Sequence, residues 1–233
     1  MIHVGTCSWT EKTLIQSGEF YPKGVNTAEA RLRYYSNRFD TVEVDSSYYA
    51  IPDDKTVQLW ADRSPQDFVF HIKVYGALTG HGINPKSLPV DIASELPKAD
   101  IDKQLIYVTE NELLKHIADR FKEVLQPLKR ANKLGIILFQ FPPWFQYKNS
   151  NLDYLLKCKE LMGELPIGIE FRHGSWLTPE RRASVIQFLR EYRMVYITAD
   201  AYSARFEHQF RSIRTPDSYS EAGFKDHTFS VRA

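Results

Sequence analysis

Six polar or charged residues stand near the ends of short β-rich runs, and their types suit acid–base chemistry on a charged ligand. They are Glu43, Lys73, Gln140, Glu170, Arg172 and Asp200. Two carboxyl groups can serve as general acid and general base when their surroundings separate their pKa values. Glu43 is therefore the candidate general base and Glu170 the candidate general acid, and Lys73 is the third catalytic candidate. The alternative is a buried ion-pair network, Glu43 with Lys73 and Glu170 with Arg172, that only fills the interior.

Lys73 and Arg172 are also candidates for holding an anion. Arginine binds phosphate or carboxylate through two parallel hydrogen bonds, whereas lysine acts as a point charge. Gln140 would orient the substrate, and Asp200 would line the same site. The alternative is that Arg172 neutralises a glutamate. No glycine-rich phosphate loop occurs in the sequence, so an anion site depends on side chains and helix N-termini.

The histidines and aromatic residues that follow the strands allow two further kinds of contact. His81 and His173, with Asp200 and a glutamate, could bind a divalent metal, but their scattered positions favour histidines that are hydrogen-bonded or lie at the surface. No cofactor is therefore predicted, and His81 is kept as a ligand-binding candidate. Tyr49 and Trp176 could stack on a sugar or a base, and the alternative is loop packing over the strand ends.

Five β-rich runs carry apolar residues on one parity and polar residues on the other. They are residues 41–45, 68–73, 135–140, 167–172 and 195–200. Because side chains alternate between the faces of a strand, the polar residues should share one face of a sheet. With a first strand at 2–7, six strands alternate with helices, which predicts a parallel sheet. Only one further strand is expected, at 227–232, so the sheet is either open and doubly wound or an incomplete TIM-like (β/α) barrel that lacks its last quarter.

Three local patterns predict how the chain is arranged between the strands. Thr109 and Glu112 form a capping box at the start of an amphipathic helix, and Pro127 should kink that helix near its end. Residues 75–108 show no sustained periodicity and contain many glycines and prolines. A segment of this kind is typical of a functional lid or a mobile insertion.

Composition indicates an ordinary globular protein. The net charge is +1 and 43% of the residues are hydrophobic. The overall charge therefore gives no argument for nucleic-acid binding, although binding through a local basic patch stays an open alternative.

Cys7 and Cys158 have no metal-binding spacing, which favours reduced thiols and a cytoplasmic location. The sequence shows no signal peptide or membrane span. It does not indicate an oligomeric state.

The phrases at the strand ends resemble those of the YecE-like family, known as domain of unknown function 72. They include Gly5-Thr-Cys-Ser-Trp9, Val42-Glu-Val44, Phe139-Gln-Phe-Pro-Pro143 and Glu170-Phe-Arg-His173. The resemblance covers residues 1–200 and implies a TIM-like barrel with a pocket at its C-terminal mouth, but no activity. Residues 201–233 read as a divergent or truncated tail, because members usually continue through further strands after the sixth.

The favoured functional hypothesis is an enzyme of unassigned activity that binds a small anionic or sugar-like ligand at the mouth of the barrel. A nucleic-acid phosphodiester binder or nuclease, using the same charges and aromatic rings, is the second hypothesis. The third is an incomplete and inactive product.

Overall fold

The computed structural model describes residues 2–199 and the backbone of residues 228–231, and this part of the chain forms an α/β fold. Its strands are β1 His3–Thr6, β2 Thr41–Val44, β3 Val69–Lys73, β4 Leu134–Gln140, β5 Ile167–Glu170, β6 Val195–Ile197 and β7 Thr228–Val231. Strands β2 to β6 form one parallel sheet in chain order. Strand β1 reaches β2 through a parallel bridge between Cys7 and Glu43.

Helices precede or follow nearly every strand of the parallel sheet. They are α1 Lys12–Gln16, α2 Ala28–Ser36, α3 Ser46–Tyr49, α4 Asp54–Asp62, α5 Val90–Ala93, α6 Lys98–Ile101, α7 Asn111–Val124, α8 Gln126–Arg130, α9 Asn149–Met162 and α10 Arg182–Glu191. Short 3-10 turns lie at Gly76–Thr79, Pro85–Ser87 and Gly174–Trp176. The predicted α/β class, the six strands and the seventh are confirmed.

The main hydrophobic core lies between one face of the sheet and the helices. Phe70 and Ile72 of β3 are fully buried there, as are Ile137 of β4 and Ile169 of β5. Their sequence neighbours point to the other face, because side chains of a strand alternate. This second face carries the polar residues and is called the inner face below.

Strand β7 departs from the predicted all-parallel arrangement, because it pairs antiparallel with β1. Strand β7 pairs with β1 and, among the described residues, is not hydrogen-bonded to β6. Within residues 2–199 and 228–231, β6 is therefore an edge strand. Closure of a barrel, and the domain boundary at residue 200, stay predictions.

Residues 75–108 are neither structureless nor loosely attached, which corrects the expectation of a mobile insertion. Tyr75, Leu78 and Ile92 are buried in the main core. Ile83 and Ile106 exchange backbone hydrogen bonds in an antiparallel bridge that ties the two ends of the segment together. The glycines and prolines bend the segment into short helical turns, and its apolar side chains anchor it to the core.

A β-bulge in β4 sets which of its side chains reach the inner face. Phe70 pairs with Leu134, whereas Ile72 pairs with Ile137, so β4 contains one extra residue. The Nδ1 atom of His71 accepts a hydrogen bond from the backbone N–H of Ile136 at 3.0 Å. This buried histidine therefore satisfies a backbone donor at the irregular position, which would otherwise be costly to bury.

Replacing Lys133 with methionine should lower the free energy of unfolding by about 2–3 kcal/mol, because hydrogen bonds from a charged donor would be lost. The buried Lys133 ammonium donates to the carbonyl oxygens of Ala61 and Ser64 at 2.6 and 2.7 Å, near the end of α4. Urea denaturation measures the change. Lys129→Met, at an exposed position, is the control, and an equal loss in both variants would contradict the prediction.

Candidate acid–base site

Strand register brings the polar residues of four strands to the inner face. Neighbouring residues in register on parallel strands project to the same face. Glu43 is level with His71, Lys73 with Leu138, and Gln140 with Glu170. Without the bulge in β4, Phe139 would share a face with Lys73. The side chain of Gln140 would then point into the main core. The bulge therefore places Gln140 beside the acid–base candidates.

Glu43 is the buried centre of the first half of the site. Burial, the nearby charge of Asp45 and a hydrogen bond to Asp45 raise the pKa of Glu43 to about 8, against the opposing effect of Lys73. Glu43 is therefore protonated at neutral pH, and its O–H group donates a hydrogen bond to the Asp45 carboxylate. Burial, together with Glu43 and Asp45, also raises the pKa of the Cys7 thiol above its usual range. Cys7 is then a neutral thiol and not an activated nucleophile.

Lys73 pairs with Asp45 and not with Glu43, which corrects the predicted ion-pair alternative. Its Nζ atom lies 3.1 Å from Oδ1 of Asp45. Burial alone would lower the pKa of Lys73, but the charges of Asp45, Glu43 and Glu170 outweigh it and raise the pKa. Lys73 is therefore charged, and its ammonium compensates the acidic groups at the C-terminal end of β2.

Glu170 is the centre of the second half of the site. One oxygen of its buried carboxylate lies 2.5 Å from Nε of Arg172 and accepts a hydrogen bond from Nε2 of Gln140 at 2.9 Å. The ion pair between Glu170 and Arg172 that the sequence analysis gave as an alternative is therefore present. The charge of Glu170 contributes to the raised pKa values of Glu43 and Lys73, so the two halves form one electrostatic unit.

An aromatic rim adjoins Lys73. It consists of Tyr48, Tyr49, His81 and Trp144. The Nζ atom of Lys73 lies 5.4 Å from the ring centre of Tyr48, within the range of cation–π attraction. Tyr49 is 72% exposed and Trp144 is 62% exposed. Tyr49 and His81 therefore belong to this rim, and their contact with a ligand stays a prediction.

Trp176 does not belong to this rim, which corrects its assignment as a ligand-stacking residue. Its side chain is fully buried and stacks on Phe171 with the ring centres 4.1 Å apart. Phe145 stacks on it at 5.5 Å, and the backbone oxygen of Phe145 accepts a hydrogen bond from the indole N–H at 2.7 Å. Trp176 therefore packs loops together, as the alternative interpretation proposed. Asp200 lies outside the described residues.

Three residues of the site were not predicted from the sequence, namely Asp45, Cys7 and Tyr48. Asp45 follows Glu43 by two residues, so strand parity alone could have placed the two carboxyl groups together. Cys7, Glu43 and Asp45 bring three potential metal-binding atoms within 4.8 Å of one another. Across the described residues this grouping includes neither His81 nor His173, and the Lys73 ammonium already compensates its charge.

A shallow surface hollow of about 430 Å³ lies far from this chemistry. Its lining includes Val4, Phe39, Asp40 and Phe68, at the N-terminal ends of β1, β2 and β3. The polar residues lie at the opposite, C-terminal ends of the strands. We place the candidate site by its side-chain chemistry and its position in the fold, because enzymes built on parallel strands use the C-terminal ends.

The family described as protein of unknown function DUF72 matches residues 3–228. The chain belongs to the DUF72 family. It is 32% identical over 200 residues to the UPF0759 protein YunF of Bacillus subtilis, a match that covers 86% of this chain and 61% of that protein. The chain thus spans less than two thirds of the length of this DUF72 relative.

Solved structures of DUF72 proteins have the same fold. A DUF72 protein of Enterococcus faecalis is 26% identical, with a TM-score of 0.62 over 83% of this chain and 59% of that chain. A DUF72 protein of Thermotoga maritima, 24% identical with a TM-score of 0.58 over 83% of this chain and 63% of that chain, agrees in fold. In the described part of this DUF72 chain, no helix has the length and apolar character needed to cross a bilayer.

Proposed function

We propose that the inner-face cluster binds a small anionic or sugar-like ligand and carries out acid–base chemistry on it. The inner-face cluster consists of Cys7, Glu43, Asp45, Lys73, Gln140, Glu170 and Arg172. The observation that carries the proposal is the buried Glu43 carboxyl group, held beside Asp45 and Lys73 at the C-terminal ends of parallel strands. Buried ionisable groups with displaced pKa values are concentrated at functional sites.

The two glutamates have different surroundings, and this suggests their roles. Glu43 is a neutral carboxylic acid at pH 7 and is the proton donor. Glu170 is paired with Arg172 and accepts a hydrogen bond from Gln140, so it acts as the charged carboxylate. The proposal therefore reverses the simple assignment of Glu43 as general base, because desolvation favours its protonated form.

Lys73 provides the positive charge for an anionic ligand group. Its side chain is 14% exposed and lies beside the accessible aromatic rim. Arg172 uses its Nε–H on Glu170, and a guanidinium has further N–H groups that can bind a carboxylate or phosphate. A ligand with one acidic group and a ring would meet both the cations and the exposed ring of Tyr49.

Thermal unfolding with a panel of probes tests this proposal. The panel contains inorganic phosphate, glucuronate and glucose 6-phosphate, with glucose as the neutral match. An anionic probe at 100 times its Kd should stabilise the fold by about 2.7 kcal/mol. Lys73→Met should weaken its binding at least tenfold, whereas Lys73→Arg should retain most of it.

Glu43→Gln is the second variant, and the exposed Lys86→Met is the control. Glutamine replaces the neutral acid with a group of similar shape, so the Kd of the probe should stay within a few-fold of the wild-type value. Proton donation by residue 43 should be lost. Equal binding by wild type and Lys73→Met would contradict the proposal, and so would a lack of response to every probe, which the inactive-product hypothesis predicts. Binding of single-stranded DNA that weakens steeply with salt would favour the nucleic-acid hypothesis instead.

A further inference from the structure

His81 lies in the aromatic rim, and its hydrogen bonds fix the position of its ring proton. The buried hydroxyl of Thr79 lies 3.0 Å from the backbone oxygen of Gly76 and 2.8 Å from Nδ1 of His81. A hydroxyl has a single proton, and a carbonyl oxygen can only accept. Both contacts are hydrogen bonds only if Thr79 donates to Gly76 and accepts from His81. Nδ1 of His81 therefore carries the proton.

The ring of His81 is neutral and held in place. Burial and the charge of Lys73 both lower the pKa of His81, so it is unprotonated at neutral pH. Tyr48 contacts it edge to face with the ring centres 5.2 Å apart, and the exposed Trp144 does so at 5.7 Å. In a neutral ring with the proton on Nδ1, the other nitrogen, Nε2, has a lone pair that can accept a proton.

His173, which follows β5, has the opposite arrangement. Its Nδ1 atom accepts a hydrogen bond from the backbone N–H of Ser175 at 3.1 Å. The hydroxyl oxygen of Ser175 accepts from the backbone N–H of Tyr147 at 2.8 Å, which leaves its proton for the same Nδ1 atom, also at 2.8 Å. A neutral His173 therefore carries its proton on Nε2. It provides an internal reference for His81.

We propose that His81 supplies the proton acceptor for a ligand hydroxyl at the rim of the inner-face cluster. The O–H bond of the ligand breaks, its proton forms an N–H bond with Nε2, and the products are an imidazolium and a ligand oxyanion. The Lys73 ammonium is the nearby charge that stabilises this oxyanion. The inference rests on the proposed function and narrows its substrate class to hydroxylated acids, such as sugar acids or sugar phosphates.

Nitrogen-15 NMR of histidine-labelled protein at pH 7 tests the tautomer without any ligand. We expect the attached proton on Nδ1 in His81 and on Nε2 in His173. Thr79→Val should turn the His81 signals into those of a mixed population, whereas Thr79→Ser should retain the wild-type pattern. A wild-type His81 with its proton on Nε2 would overturn the inference, even if Thr79→Val did not fold.

Acylation by diethyl pyrocarbonate at pH 6, located by mass spectrometry and NMR, tests whether the nitrogen is accessible. At this pH an ordinary histidine is mostly protonated. The lowered pKa should make His81 react up to about fourfold faster than a histidine peptide, with the new bond at Nε2. An unreactive His81 would overturn the inference. Because both measurements need no ligand, they can fail or succeed independently of the probe-binding test of the proposed function.

Discussion

Replacing Trp176 with alanine is expected to lower the free energy of unfolding by about 3–5 kcal/mol, the loss usual for a buried tryptophan. The fully buried ring stacks on Phe171 and Phe145, and its N–H donates to the backbone oxygen of Phe145. The substitution would leave a cavity between the two phenylalanines and remove the donor from a backbone acceptor. Urea denaturation followed by far-ultraviolet circular dichroism measures the change.

Trp144→Ala is the matched control for this prediction, because the same residue type is 62% exposed in the aromatic rim. An exposed substitution of this kind should change the free energy of unfolding by less than about 0.5 kcal/mol. A loss below about 1 kcal/mol for Trp176→Ala, or a larger loss for Trp144→Ala, would show that Trp176 is not a core residue.

Acidification is expected to remove about 3 kcal/mol of stability through His71 alone. Burial, with a smaller contribution from His3, lowers the pKa of His71 to about 4, compared with about 6.5 in an unfolded chain. The folded state therefore favours neutral His71. Its contribution is fully present above about pH 6.5 and is lost as the pH falls toward 4, because only the unfolded chain then gains the proton. Stability measured in urea across this range tests the prediction.

His71→Asn and His71→Leu separate the two roles of this side chain. Asparagine retains an acceptor that can replace Nδ1 for the backbone N–H of Ile136, whereas leucine does not. His71→Asn should be the more stable variant at pH 7. For both variants, the difference from wild type in the free energy of unfolding should become smaller as the pH falls from 6.5 to 4. A constant difference across this range would contradict the role assigned to His71.

Local sequence signals located the elements more reliably than their ends. The proline at 127 ends α7 early, so that α7 stops at Val124 and α8 begins at Gln126, as the predicted kink requires. The predicted capping box does not form, since α7 begins at Asn111 without a side-chain cap. A capping motif in sequence shows that a helix can start there, but the packing of the helix selects the turn at which it does.

The sequence predicts those parts of the candidate site that depend only on the alternation of side chains along a strand. Alternation along β2, β3 and β5 correctly placed Glu43, Lys73 and Glu170 on one face. Alternation failed for β6, where the apolar Ile197 is level with Glu170 and shares its face. Parity within one strand does not reveal which of its two faces points inward, because that depends on the register with the neighbouring strand.

The sequence by itself determined the family, the order of strands and helices, and the charged residues at the strand ends. These depend on local alternation and on residues close in the chain. Only the tertiary structure decided that Lys73 pairs with Asp45, that Trp176 is buried and that a bulge in β4 is needed to bring Gln140 level with Glu170. The last of these depends on His71 and Ile136, 65 residues apart, meeting at a bulge. Contacts between residues so distant in the chain leave no periodic signal in either segment.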